Sequence, residues 1–252
     1  MNLKWDCKKH LAAIYRSKGA YLHAIKEMDS KPFSSFFGLE KEIEILCKNT
    51  ESFLCNKGGV NTLLWGARGC GKSSLIKALL LKYSKQNLRI LQLLKEDLEI
   101  LPEIFDFLRE KKRYKFIIFC DDLSFEESEN YKILKTFLEG SLESLPKNVL
   151  IYATSNRRHL LPEFYEENEI FGAEGNEDKI ALSERFPLSI GFYPQGVREY
   201  LEILEKMFET LPQDWEEIKK KALNFATKKG SKNPRIATQF YKLYTQNLHH
   251  II

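Results

Sequence analysis

Apolar runs alternate with amphipathic stretches along most of the chain, and this alternation predicts strands separated by helices. The hydrophobic pattern predicts strands at 12–16, 21–25, 62–65, 88–94, 116–120, 149–153 and 188–192. It predicts helices at 40–54, from about 72 to 85, at 101–109 and near 128–143. The first two strands flank a short polar turn, and this arrangement predicts a hairpin. The later strands, spaced by helices, predict βαβ units and a parallel sheet.

Beyond residue 196 the pattern contains helical periodicity only. Three helices are predicted there, at about 197–209, 213–229 and 234–248. The architecture expected is therefore an α/β domain with a parallel sheet, followed by a small helical subdomain. We place the boundaries at 1–37 for an N-terminal extension, 38–194 for the α/β domain and 195–252 for the helical subdomain.

Composition narrows the class of protein. The 252 residues are 43% hydrophobic and 29% charged, which is typical of a soluble globular protein. No apolar run is long enough for a membrane span, and residues 1–9 are too polar for a signal peptide, so a cytoplasmic location without membrane contact is expected. The five cysteines contain no C-x-x-C pair, which favours reduced thiols. With 39 basic and 35 acidic residues, the charge balance does not indicate nucleic acid.

The most specific motif lies between the strand at 62–65 and the next helix. Residues 66–73 read GARGCGKS and match G-x-x-x-x-G-K-[ST] without a mismatch. Such a loop binds nucleotide phosphates with its backbone N–H groups, while Lys72 reaches the β/γ oxygens and the Ser73 hydroxyl binds Mg²⁺. The alternative is a glycine-rich turn without a ligand. The predicted binding residues are Gly66, Ala67, Arg68, Gly69, Cys70, Gly71, Lys72, Ser73 and Ser74.

A pair of carboxylates follows the apolar run at 116–120. Asp121 and Asp122 would emerge at the carboxyl end of a central strand, where α/β sheets bind ligands. Asp121 is predicted to bind Mg²⁺, directly or through water, and Asp122 to orient or deprotonate the attacking water. The alternative is that one of them caps a helix.

A third polar cluster follows the strand at 149–153. It contains Asn156, whose amide is positioned to reach a γ-phosphate or the attacking water from the strand next to the glycine-rich loop. Threonine, serine and asparagine are also ordinary loop residues. The cluster supports a functional site mainly because it follows the glycine-rich loop and the carboxylate pair along the chain.

The order of these motifs resembles that of the AAA+ ATPase superfamily. Five motifs keep the family order: GARGCGKS at 66–73, FCDD at 119–122, ATSN at 153–156, LSERF at 182–186 and NPRIA at 233–237. The stretches LLWGARG, FCDDLSFE and LIYATSNRRHL look like a bacterial predicted-ATPase family designated domain of unknown function number eight-fifteen. The double Asp and the S-x-R-F element are similar to those of AAA+ replication initiators.

The resemblance implies ATP and Mg²⁺ as cofactors and gives roles to two arginines. Arg185 would be an arginine finger that acts on the neighbouring subunit of a homo-oligomer, and Arg235 a second sensor in a helical lid. Arg235 follows a predicted cap at Asn233, and an arginine at the positive end of a helix suggests a bound anion. The alternative for Arg185 is a surface ion pair with Glu184 or Glu199.

The sequence departs from the resemblance at three positions, and only the first of them affects the expected turnover. Asp122 stands where many relatives carry Glu, which places the base further from water and predicts slow turnover. Cys70 replaces a more usual Thr and would make binding sensitive to oxidation, and Pro187 replaces Gly. The favoured function is an ATPase that remodels or loads a client, either a protein or a nucleic acid. A nucleotide-gated binding module and a P-loop phosphotransferase are the alternatives.

Overall fold

The computed structural model describes residues 3–124, 144–158, 160 and 185–248. Its strands are β1 (Ala12–Arg16), β2 (Tyr21–Ile25), β3 (Thr62–Gly66), β4 (Leu88–Leu93), β5 (Lys115–Cys120), β6 (Val149–Ser155) and β7 (Leu188–Phe192). They form one seven-stranded sheet in the order β2-β1-β4-β5-β6-β3-β7. All neighbouring pairs are parallel except β1 and β2, which form an antiparallel hairpin. The predicted α/β fold with a parallel sheet is confirmed.

Six helices lie in the described part of the chain. Three alternate with the strands, and these are α1 (Glu40–Leu54), α2 (Lys72–Tyr83) and α3 (Leu101–Arg109). The other three follow the last strand, and we call this group the lid: α4 (Val197–Glu205), α5 (Trp215–Lys228) and α6 (Pro234–Thr245). None of these helices has the length and apolar character needed to cross a membrane.

The predicted elements are found where the structure describes the chain, but several helix ends differ. The helix α2 ends at Tyr83, and a 3₁₀ turn at Ser84–Gln86 leads to the left-handed Asn87 before β4. The helices α4 and α6 end three or four residues before their predicted ends. Periodicity identifies the face that a helix buries, but it does not locate the last hydrogen bond. The helix predicted near 128–143 lies outside the described residues.

The sheet separates two hydrophobic cores, and β5 shows why its sequence lacks polar alternation. Ile117 and Phe119 pack on the face covered by α1 and α2. Phe116, Ile118 and Cys120 pack on the other face, with α3. Since both faces are buried, each residue of the run contributes to a core, as the sequence predicted.

The lid has a hydrophobic core of its own, built from α4, α5 and α6. Gly230 follows the C-terminal end of α5 and lies in the left-handed region, with a φ of +68°. Pro234 is the first residue of α6. The Asn233 side chain accepts a hydrogen bond from the Ile236 N–H at 3.0 Å and caps this helix. The predicted cap is therefore confirmed. Phe37, which precedes α1 in the chain, packs against the lid core.

The N-terminal segment is attached to the sheet through a buried arginine. Arg89 on β4 is 5% exposed. Its Nε donates to the Cys7 carbonyl at 2.6 Å, and its Nη1 donates to the carbonyls of Ser84 at 3.0 Å and Leu88 at 2.7 Å. The guanidinium also lies 4.8 Å from the centre of the Tyr114 ring. One guanidinium thus holds the distant Cys7 carbonyl together with two carbonyls that lie close to Arg89 in the sequence.

Replacing Arg89 with alanine is expected to lower the free energy of unfolding by about 2–4 kcal/mol, because buried carbonyls lose their donor. Chemical denaturation monitored by circular dichroism measures the change. Arg113→Ala is the matched control, because this exposed arginine precedes β5 and its loss should cost less than about 0.5 kcal/mol. An equal effect of the two variants would contradict the buried network.

Candidate active site

The carboxyl ends of β3, β5 and β6 meet the lid around a cleft of about 770 Å³. Parallel sheets bind ligands at this edge because loops and helix N-termini converge there. The predicted site residues that line the cleft are Arg68, Gly69, Cys70, Gly71, Lys72, Ser73, Ser74, Asp121, Asp122, Asn156 and Arg235. Gly66 and Ala67 lie outside this lining, and their carbonyls hold Lys72 instead.

The glycines of the loop are required by its backbone. Gly66 has a φ of +124°, and a Cβ there would lie 2.0 Å from the Phe192 carbonyl oxygen. The Ala67 N–H donates to that same oxygen at 2.9 Å, which attaches the loop to β7. Gly69 and Gly71 also lie at positive φ, +78° and +95°. The motif spacing therefore matches three positions that disfavour a side chain.

Lys72 begins α2 and is 7% exposed. Its ammonium donates to the carbonyls of Gly66 at 2.8 Å and Ala67 at 2.9 Å, and Asn156 Oδ1 lies 3.5 Å away. Burial lowers the pKa of Lys72 below its usual value, while the Asp122 carboxylate opposes that shift. The loop thus holds a buried cation on its own carbonyls, next to the cleft.

Asp121 is the centre of a hydrogen-bond network. Its Oδ1 accepts from the Ser73 hydroxyl at 2.6 Å and from the Thr154 hydroxyl at 2.6 Å. Thr154 Oγ1 in turn accepts from the Asp122 N–H at 2.9 Å. The structure therefore connects the glycine-rich loop, the carboxylate pair and the strand β6 through three short contacts.

The oxygens of Ser73 and Asp121 fit a Mg²⁺ ion that is shared with phosphates. Magnesium prefers oxygen ligands and is commonly held by one or two carboxylates together with waters and substrate phosphates. Among the described residues no group of three histidine, cysteine or acidic side chains is placed to hold a metal ion. The donor set here is one hydroxyl and one carboxylate, which suits a nucleotide-bound ion better than a closed protein site.

Asp122 and Asn156 face each other at the edge of the cleft. Asp122 is exposed and has a left-handed φ of +55°, and its Oδ1 accepts from Asn156 Nδ2 at 2.5 Å. The helix predicted near 128–143, which Asp122 would cap in the alternative interpretation, lies outside the described residues. Within them, the partner of its carboxylate is the amide that the sequence placed in the same site.

The lid forms the opposite wall of the cleft. Arg235, Thr238, Gln239 and Lys242 line it from one face of α6. An apolar part of the wall combines the N-terminal segment with the lid and consists of Phe36, Phe37, Leu39, Ile203 and Met207. Arg235 thus lies where its predicted role requires, although that role stays a prediction.

Arg185 lies at the other end of the sheet. It lines a second cavity, of about 580 Å³, with residues at the amino ends of the strands, among them Asn61, Lys115 and Val149. The intervening strand β3 spans five residues, or roughly 15 Å. Arg185 is therefore too far from the cleft of its own chain to contact a ligand there. Glu184, one of its two alternative partners, lies outside the described residues.

The environment of Cys70 argues against redox sensitivity. The residue is 2% exposed, and its Sγ lies 3.7 Å from the Tyr193 carbonyl oxygen. Burial raises the pKa of the Cys70 thiol above its usual value. Because the thiolate is the reactive form, a buried neutral thiol is a poor target for oxidants. The suggestion of oxidation-sensitive binding is therefore not supported.

Two contributions to the site were not predicted. Thr154 bonds the Asp121 carboxylate and accepts from the Asp122 amide, although the motif had singled out Asn156. The amide of Asn233 donates to the Arg68 carbonyl at 3.0 Å, in addition to its role as a cap. The sequence predicted the cap at Asn233 but not this second contact, for which the one available signal was an amide that can accept at Oδ1 and donate at Nδ2.

Comparison with solved structures supports the fold. The chain is similar to a chain of the Aeropyrum pernix ORC1 protein in complex with DNA, with a TM-score of 0.59 and 14% identity, over 89% of this chain and 62% of that one. It is also similar to a chain of the E. coli MS115-1 HORMA:CdnC:Trip13 complex, with a TM-score of 0.53 and 13% identity, over 83% of this chain and 89% of that one. A mutant of Thermotoga maritima RuvB has a TM-score of 0.50 and 13% identity, over 86% of this chain and 73% of that one. No curated protein matches the chain.

The chain spans less than two thirds of the ORC1 chain, and at these identities the likeness concerns the fold alone. A family model, described as protein of unknown function (DUF815), matches residues 8–248. This range includes the glycine-rich loop, the carboxylate pair and the lid. The protein therefore belongs to the DUF815 family and has the AAA+ fold.

Proposed function

We propose that this protein is a Mg²⁺-dependent, cytoplasmic AAA+ ATPase that uses the nucleotide cycle to remodel or load a client. The observation that carries the proposal is the hydrogen-bond network at the cleft. Ser73, Asp121 and Thr154 are joined by two contacts of 2.6 Å, and Asp122 and Asn156 complete the network. Three motifs that are distant in sequence thus meet beside the buried Lys72 ammonium.

Nucleotide binding would begin at the glycine-rich loop. Its N–H groups and the N-terminus of α2 attract phosphate oxygens, and the Lys72 ammonium exchanges the Gly66 and Ala67 carbonyls for them. Ser73 and Asp121 would hold Mg²⁺, which neutralises charge on the β- and γ-phosphates when bound. Arg235, which lines the cleft from the lid, would approach the same phosphates.

For hydrolysis, Asp122 would orient the attacking water and accept its proton, while Asn156 fixes the carboxylate through the 2.5 Å contact. The exposure of Asp122 gives water access to it. Since aspartate is one methylene shorter than glutamate, slow turnover is expected.

Assembly into a homo-oligomer is part of this proposal. Arg185 lies at the amino ends of the strands, so it would act on the nucleotide of the next subunit. The proposed division is 1–37 as extension, 38–194 as nucleotide-binding domain and 195–252 as lid, with β1 and β2 of the extension joining the sheet. The ORC1 structure contains DNA, and the Trip13 complex contains a HORMA protein, so the client is left as a nucleic acid or a protein.

A nucleotide-gated binding module with little hydrolysis is the second candidate. The short contact between Asn156 and the Asp122 carboxylate favours it, because a base that is occupied by an amide is less available to water. This candidate shares the binding step with the ATPase and differs in turnover only.

The substitution Asp122→Asn tests the catalytic step. We expect the variant to bind ATP and Mg²⁺ within about twofold of the wild type but to lose hydrolysis by about 10²–10⁴-fold, since only the proton acceptor changes. Phosphate release and fluorescent-nucleotide titration measure the two quantities. Asp121→Ala is the contrasting variant, and its Mg²⁺-dependent binding should weaken because one oxygen ligand is lost.

Wild-type turnover in Asp122→Asn would show that this carboxylate is not the base. Very slow phosphate release by the wild type, at every protein concentration, would favour the gated module. Transfer of phosphate to an added small acceptor would indicate a phosphotransferase instead.

A further inference from the structure

A single lid side chain contacts both the lid helix and the glycine-rich loop. Asn233 is 7% exposed, and its Oδ1 accepts from the Ile236 N–H at 3.0 Å. Its Nδ2 donates to the Arg68 carbonyl at 3.0 Å and to the Ser231 hydroxyl oxygen at 2.8 Å. Each end of the amide therefore has a partner of the matching kind, one end in the lid and the other on the loop.

The loop is shaped to receive this side chain. A Cβ on Gly69 would lie 2.6 Å from Asn233 Nδ2, which is closer than two such atoms can approach. Gly69 also has a φ of +78°. The absence of a side chain at this position thus serves the close approach of the lid as well as the backbone turn.

The hydrogen bond to Arg68 fixes a peptide plane that belongs to the phosphate cradle. In a trans peptide the C=O and the N–H of the next residue point in opposite directions. When Asn233 holds the Arg68 carbonyl, it therefore also sets the direction of the Gly69 N–H. Gly69 lines the cleft, so in the proposed function its N–H would be one of the donors that the loop offers to phosphate.

We infer that Asn233 is a positioning residue that orients the Arg68–Gly69 peptide for phosphate and couples nucleotide binding to the position of the lid. The inference rests on the proposed function only in that the nucleotide binds at the loop. It differs from the role of Arg235, because Asn233 acts through the backbone of the loop and needs no contact with the ligand.

Three variants separate this role from helix capping. Asn233→Ser and Asn233→Asp both retain an oxygen that caps α6 and lose the amide donor. Ser231→Ala removes the other acceptor of the same amide and leaves the bond to Arg68, so it is the matched control. The measurements are the affinity for a fluorescent ADP, the melting temperature and the helix content.

At pH 8 we expect Asn233→Ser to bind ADP about tenfold more weakly than the wild type, because a hydrogen bond to the loop is lost. Its helix content should stay unchanged, because the hydroxyl oxygen still caps α6. Asn233→Asp should bind still more weakly, since its carboxylate faces the Arg68 carbonyl oxygen. Ser231→Ala should bind within about twofold of the wild type.

The pH profile gives a signature that a purely structural role would not produce. As the pH falls towards about 4, the usual pKa of an aspartate side chain, a growing fraction of the carboxyl group introduced by Asn233→Asp gains a proton and can donate to the Arg68 carbonyl. Its affinity relative to the wild type at the same pH should therefore recover, while that of Asn233→Ser stays constant. Wild-type affinity in both variants, or a defect in Asn233→Asp without recovery, would overturn the inference alone. Failure of the wild type to bind ADP would overturn the proposed function with it.

Discussion

Lys72→Ala is expected to abolish ATP binding, with an affinity at least about 100-fold below that of the wild type. The substitution removes the buried ammonium that lies on the Gly66 and Ala67 carbonyls, so phosphate would meet those oxygens without a neutralising charge. Titration with a fluorescent ATP analogue in the presence of Mg²⁺ measures the loss. Circular dichroism establishes that the variant is folded.

Lys77→Ala provides the control for general electrostatic attraction. Lys77 lines the same cleft five residues further along α2. We expect its loss to weaken ATP binding by less than about threefold, because screened attraction without a direct contact contributes little. Unchanged affinity in folded Lys72→Ala, or equal losses in the two variants, would reject the phosphate-binding role of the loop.

Arg185→Ala is expected to bind ATP normally and to lose hydrolysis by about 10³-fold, in line with the known contribution of arginine fingers. The physical reason is the separation of Arg185 from the cleft of its own chain, which leaves the transition state of a neighbouring subunit as its place of action. Steady-state phosphate release across a range of protein concentrations measures the effect. Arg113→Ala, with its exposed arginine in the turn before β5, should keep wild-type turnover.

Mixing two inactive variants tests whether the finger acts between subunits. Arg185→Ala supplies an intact nucleotide pocket, and Lys72→Ala supplies an intact Arg185. We expect the mixture to recover part of the wild-type activity, because some interfaces then combine both intact halves. A mixture that stays inactive, together with a wild-type rate per subunit that is independent of concentration, would contradict action in trans and favour a monomeric nucleotide switch.

The sequence predicted the strands well because their signal is local. The run in β5 is apolar at every position, and the glycine-rich loop carries its own backbone requirements at Gly66, Gly69 and Gly71. The parallel arrangement then followed from the alternation of strands and helices. The carboxylates of Asp121 and Asp122 could be placed in the site because they follow a strand whose end is buried.

Other features depend on contacts between distant parts of the chain and have no local signal. The pairing of β1 with β4 adds the N-terminal hairpin to one edge of the main sheet, which hydrophobic alternation cannot indicate. Thr154 was recognised as part of the site only from the structure, in which its hydroxyl donates to Asp121 Oδ1 at 2.6 Å. Asn233 looked like an ordinary cap, since its second partner, Arg68, lies on a loop 165 positions earlier in the chain.

The position of the N-terminal hairpin also constrains the order in which the chain can fold. Residues 12–25 are synthesised well before their neighbour β4, which ends only at Leu93. At typical synthesis rates of roughly 5–20 residues per second, β4 is synthesised several seconds after the hairpin. Arg89, whose side chain donates to the Cys7 carbonyl, follows Cys7 by at least as long. An isolated two-stranded hairpin is only marginally stable in water. The hairpin is therefore synthesised before β4, and it can form a stable part of the sheet only after β4 has been synthesised.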